Sequence, residues 1–80
     1  MSKRNFYKRF IEEEKQFYLH MAGFNSREAC LFKLRAYEDK TLWEAADIMG
    51  YSLRTIDRIN RDMKRKIEKT ALLYEFDMAD

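Results

Sequence analysis

Seven cationic side chains crowd one short stretch of this chain. Residues 54–69 hold Arg54, Arg58, Arg61, Lys64, Arg65, Lys66 and Lys69 against Asp57, Asp62 and Glu68, a net +4, while residues 70–80 hold only Glu75, Asp77 and Asp80, a net −3. The whole chain carries only +2. Guanidinium groups bind phosphate and pair bidentately with the O6 and N7 atoms of guanine, so a concentrated basic stripe is the footprint of nucleic-acid binding. The bland reading of such a run is a solvated helix face laced with intrahelical ion pairs. What tips the balance is the segment just before it. Residues 41–67 read TLWEAADIMGYSLRTIDRINRDMKRKI, a short helix, a tight turn at Gly50 and a second, basic helix.

Other chemistry has little to work with. The chain has one histidine, His20, on a charged face, and one cysteine, Cys30, expected inside a packed helix. No third group at helical spacing would orient a Cys–His nucleophile. A zinc site needs more Cys and His than these. Glu12, Glu13 and Glu14 point in three directions on a helix and cannot converge on a metal. No glycine-rich phosphate loop is present. No enzyme, no cofactor and no metal are expected. The N-terminal MSKRNFYKRF lacks a signal-peptide core, no apolar run approaches the ~20 residues of a membrane span, and a lone cysteine fits a reducing compartment. A cytoplasmic location with no membrane partner follows as the expectation.

The elements that position the basic run are legible in the pattern. The composition, 38% charged and 46% hydrophobic with no proline and two glycines, fits a soluble all-α protein, and 80 residues fit a single domain over 1–80. An N-terminal amphipathic helix is predicted over 4–22, with Phe6, Tyr7, Phe10, Ile11, Phe17, Tyr18 and Met21 on one arc and Gly23 at its end. An aromatic stripe of this kind could stack single-stranded nucleic acid, but helical spacing makes it core. The second helix opens at Asn25 or Ser26 with Glu28 completing a capping box and runs to about Glu38. Its apolar residues cover most of its circumference, so it is the expected central prop. Thr41 and Glu44 cap the third helix, Gly50 supplies a positive φ for the turn, and Ser52 caps the fourth, whose buried stripe is Ile56, Ile59, Met63 and Ile67. The helix-turn-helix core is thus expected over 25–69, with 70–80 as the end of the last helix. Leu72, Leu73 and Phe76 fall off the stripe and suggest a homodimer contact.

Residues 27–67 resemble the fourth region of bacterial sigma factors and the related LuxR/GerE-type helix-turn-helix domains. The resemblance lies in Arg27-Glu28, Leu31-Phe32-Lys33-Leu34, Glu44-Ala45-Ala46, Gly50, Ser52-Leu53-Arg54-Thr55-Ile56 and Lys66-Ile67. The spacing from Leu34 to Ala46 matches the sigma-type turn better than the GerE type, which is one residue shorter. The stretch 41–59 is more loosely similar to small phage regulators of the ArpU/RinA kind. Ala45 departs from the usual isoleucine, and the N-terminal helix has no counterpart in the motif. The resemblance implies a sequence-specific DNA-binding transcriptional regulator, phage or prophage encoded, acting by recruitment or occlusion, with the helix 53–67 in the major groove. It places Leu53, Arg54, Asp57, Arg58 and Arg61 on the groove-facing side. Thr55, Ile56 and Ile59 would hold that helix on its support. Thr41, Ser52 and Lys40 would contact phosphate, as would Lys64, Arg65 and Lys69 further along. Trp43 is expected in the core against the N-terminal helix, the alternative being a surface for RNA polymerase or another partner. Two other readings stand beside this one: a DNA-packaging adaptor of the small-terminase kind, and a sigma-region-four mimic that binds polymerase without DNA.

Overall fold

The computed structural model describes the backbone of residues 10–78 and the side chains of residues 10–73. These residues form four helices and no strands: α1 (Glu12–Met21), α2 (Ser26–Ala36), α3 (Leu42–Met49) and α4 (Leu53–Met78). Each start has a local cause. At α2 the Asn25 side chain accepts from the Glu28 N–H at 2.9 Å, and the Glu28 carboxylate accepts from the Asn25 N–H at 3.0 Å. At α3 Thr41 and Glu44 make the same reciprocal pair at 3.1 and 2.8 Å. Two otherwise orphaned amides are satisfied each time. Ser52 Oγ accepts the Thr55 N–H at 3.2 Å and opens α4.

The ends are equally local. Gly50 has φ +77 and sends its N–H, with that of Tyr51, to the Ala46 carbonyl, so α3 stops in a left-handed cap. A Cβ at Gly50 would meet nothing within 4 Å, so only the backbone conformation requires glycine there. After α2 the chain turns through Asp39 at φ +56, a value aspartate tolerates better than most side chains. Arg35 then donates to the Lys40 carbonyl at 2.7 Å across that turn.

The core forms where α4 crosses the other three helices, all of which it touches. Ile56, Ile59, Met63 and Ile67 are buried, as their spacing predicts, against Leu31 and Phe32 of α2 and Ala45 and Ala46 of α3. Ala45, where the motif has isoleucine, is fully buried. Tyr18 lies with its ring 4.9 Å from that of Phe10 and 6.5 Å from that of Phe32, and Phe24 adds a further contact to Phe32 at 5.2 Å. Burying each of the large apolar side chains contributes about 1.5–3 kcal/mol.

One charge lies in this core. Glu28 is 3% exposed, and its Oε1, already bound to the Asn25 amide, accepts from Lys66 Nζ at 2.6 Å. The same ammonium reaches the Gly23 carbonyl at 3.2 Å. The first turn of α2, the end of α1 and the fourth turn of α4 thus meet at a single cation.

Several expectations need correction. The helix α1 begins at Glu12, with Phe10 and Ile11 outside it, and residues 4–9 of the expected helix lie outside the described residues. Ile11 is extended, has no side-chain acceptor, and caps only through its N–H to Glu14 Oε1 at 2.9 Å. Ile11 and Met21, expected on the buried arc, are exposed, whereas Phe10 is buried outside the helix. Phe6 and Tyr7 lie outside the described residues. α2 ends at Ala36, not Glu38, and Cys30 on it is exposed rather than packed. Trp43 is 72% exposed and not in the core. The buried side of α3 is occupied by Ala45 and Ala46, which lets the helices approach closely and leaves no room for an indole.

The buried ion pair has an asymmetric consequence. Lys66 keeps about a third of its side-chain surface in water, but Glu28 has almost none. Lys66→Met strands a buried carboxylate and is expected to cost about 2–4 kcal/mol. Glu28→Gln keeps a neutral acceptor for both donors and frees an ammonium that can rehydrate, so about 1–2 kcal/mol is expected. Urea titrations of the two variants check the order; equal losses, or the reverse order, contradict this account.

Candidate nucleic-acid interface

α4 leaves the turn at Gly50, Tyr51 and Ser52 and presents two unlike faces. At about 100° per residue, Ile56, Ile59, Asn60, Met63, Ile67 and Thr70 fall on one side, and all six are buried. On the opposite side Arg54, Arg58, Arg61 and Arg65 are all exposed. Their i, i+4, i+7, i+11 spacing sets four guanidinium groups in one row, about 16 Å long at 1.5 Å per residue. Lys69 continues it.

The row differs along its length. Arg61 Nε lies 3.5 Å from Asp57 Oδ2, and Arg65 Nη1 lies 3.3 Å from Asp62 Oδ1. Among the described residues no carboxylate forms an ion pair with Arg54 or Arg58. The first two turns of α4 therefore carry exposed guanidinium groups with their donor forks unengaged by acid. Such groups can bind phosphate or the acceptor edge of guanine.

The remaining expected contact residues are distributed around this row. Asp57 is exposed beside it, paired with Arg61. Thr41 and Ser52 are exposed at the starts of α3 and α4, each with its hydroxyl already engaged as a cap. Thr55 is half-buried, its hydroxyl accepting from Ser52 Oγ at 3.1 Å, which suits a structural role. Leu53, expected on the groove-facing side, is half-buried and packs against the core instead. Its position borders the buried stripe of the helix. Lys64 is half-buried on the flank of the row, and Lys40 is half-buried in the turn before α3.

Two features escaped the sequence reading. Arg27 lies over the ring of Tyr51, with its guanidinium 5.5 Å from the ring centre, so the first turn of α2 braces the turn that launches α4. Arg27 and Tyr51 are 24 positions apart, and no local pattern links them. The second is an open polar cleft between the start of α2 and α4, lined by Asn25, Glu28, Asp62, Arg65, Lys66 and Lys69.

On the far side of the molecule, Tyr37 donates to Glu12 at 3.3 Å beneath Lys15, which lies 5.0 Å from its ring centre. Burial first, then the Glu12 carboxylate, pushes the Tyr37 phenol above its ordinary value. This ties the start of α1 to the end of α2. His20 bonds its own helix at the Gln16 carbonyl. Among the described residues no three His, Cys, Asp or Glu side chains gather closely enough to hold a metal ion, and no helix is long and apolar enough to cross a membrane. Leu72 and Leu73 are exposed on α4, off its buried stripe; the Phe76 side chain lies outside the described residues.

In comparison with known proteins, no family model, no curated protein and no solved structure matches the chain.

Trp43 is the only tryptophan, which makes its exposure directly readable. In the native protein its fluorescence is expected to be quenched by iodide or acrylamide almost as efficiently as in the urea-unfolded chain. Trp43→Ala is expected to shift stability by no more than about 0.5 kcal/mol, as surface substitutions do. A shielded, blue-shifted emission that moves to the red on unfolding contradicts this placement.

Proposed function

We propose that the chain is a sequence-specific duplex-DNA-binding protein that lays the first turns of α4 into the major groove, and that it serves as a small transcriptional regulator of the phage or prophage kind. The observation that carries the reading is the pair Arg54 and Arg58. They stand exposed, free of acidic partners among the described residues, on the opening turns of a helix launched from a glycine-capped turn. A helix fits the major groove, and arginine is the side chain that most often recognises guanine there. The resemblance of residues 27–67 to sigma region four supports the same assignment. So do the positions of Thr41 and Ser52 at the starts of the two helices, where side chains and amides commonly meet phosphate.

A second reading draws on the outer face of α3. Trp43 and Ile48 are exposed there, with Glu44 and Asp47 beside them. An exposed tryptophan flanked by acids suits contact with a protein such as RNA polymerase, and a domain that used only this face would need no DNA. Duplex titration separates the two.

Arg58→Ala is expected to weaken binding to a site selected from random duplexes by about 1–3 kcal/mol and to flatten base preference at one position. Lys64→Ala is expected to weaken all sequences alike and to reduce the slope of log K against log salt by about 0.9. Competition titrations with the opposite assignment overturn this placement of the reading face. No binding to any duplex by the full chain leaves the α3 reading in its place.

A further inference from the structure

The two acids among the four arginines of α4 stand in particular places. On a wheel of about 100° per residue, Asp57 falls along one edge of the arginine row and Asp62 along the other. Each engages an arginine in the later half of the row: Asp57 holds Arg61 at 3.5 Å and Asp62 holds Arg65 at 3.3 Å. Among the described residues no carboxylate pairs with Arg54 or Arg58. We propose that Asp57 and Asp62 are specificity-determining residues of the DNA face, holding Arg61 and Arg65 back from phosphate so that sequence-independent binding stays weak. The inference rests on the DNA-binding reading above.

Charge placement around the row supports this role. A helix seated in the major groove meets base edges at the groove floor and phosphates along both walls. The centre of the arginine row would face the floor and its two edges the walls. A carboxylate on each edge repels the walls, and the two acids occupy the guanidinium groups of Arg61 and Arg65. The row keeps four cations for hydrogen bonding but only two net charges to attract the backbone. Non-specific affinity comes almost wholly from phosphate neutralisation and counterion release, so it falls most. Recognition of bases by Arg54 and Arg58 does not pass through either acid. The ratio of specific to non-specific binding therefore rises.

The pairs also have the strength this role needs. Both partners of Arg61–Asp57 are more than half exposed, with side chains at 68% and 56% of full accessibility. Exposed pairs of this kind add little to folding, and a well-placed phosphate can open them. A random backbone encounter must break the pair and face the displaced carboxylate. The correct register adds base contacts that compensate.

The test compares the full-length chain with Asp57→Asn, Asp62→Asn and Asp57→Glu by fluorescence anisotropy. The probes are the selected duplex and a scrambled duplex, titrated across a range of salt. For Asp57→Asn, affinity for the scrambled duplex is expected to rise about three- to tenfold and its salt slope to steepen by about 0.9. Affinity for the selected duplex should change less, and the discrimination ratio should fall accordingly. Asp62→Asn should act in the same direction, and Asp57→Glu should restore the parental slope. A purely structural role would shift the melting temperature and leave the slope alone. If the parent discriminates between the duplexes but the Asn variants keep its slope and ratio, this inference is overturned and the DNA-binding reading stands. If the parent binds neither duplex, both fall.

Discussion

The Glu28–Lys66 contact constrains more of this structure than any other single interaction. Glu28 Oε1 accepts both the amide that caps α2 and the ammonium of a residue 38 positions later. A carboxylate buried this deeply is tolerable only with such partners, because an isolated charge out of water is heavily penalised. Apolar packing between two helices would accept a slide by one turn at modest cost. A buried charge with one available cation would not. The pair therefore fixes where along α4 the start of α2 rests, and with it the side of α4 that remains in solvent. An apolar pair of equal volume could be as stable, so the contribution of the ion pair lies in register more than in net free energy.

The exposed side of α4 inherits its character from that register. The buried stripe and the arginine row occupy opposite faces of one helix, so rotating α4 in its seat would bury guanidinium groups without partners. Arg27 on Tyr51 adds a brace at the near end of the helix, and the Tyr18, Phe10 and Phe32 rings fill the far side of the core. The backbone of the row is held from behind, while the tips of Arg54 and Arg58 form no ion pair among the described residues. Such a surface suits recognition, since the frame is ordered before binding and only side chains are immobilised on contact.

Much of this fold was legible in the sequence because the signals were local. The capping boxes at Asn25 and Thr41, the glycine caps and the α4 stripe each act within one or two turns of chain. The misreadings came from tertiary causes. The apolar arc of the first helix was counted through Phe10 and Ile11, but α1 begins at Glu12 after an extended Ile11, and Phe10 reaches the core from outside the helix. Trp43 looked like core on hydrophobicity alone, yet the helix crossing demanded two alanines instead. The α2 residues suggested packing on two sides with Cys30 inside, but Cys30 faces solvent. Glu28 read as a capping residue, and nothing near it in sequence disclosed the lysine that completes its site. Of the candidate interface, the basic run was visible in the sequence, and the resemblance put Arg54, Arg58 and Arg61 on one side of it. Leu53 packs partly against the core because it borders the buried stripe of α4. Which arginines are held by acids depends on rotamers that spacing does not fix.

The exposed row at the start of α4 is the surface proposed to meet DNA. NMR on the isotope-labelled chain, titrated with a selected duplex, tests it most directly. The largest perturbations are expected at the amides of residues 52–61 and at the Nε–H signals of Arg54 and Arg58, with the Trp43 indole nearly still. Perturbations concentrated on the outer face of α3 or along α1, with the α4 arginines unmoved, would contradict it.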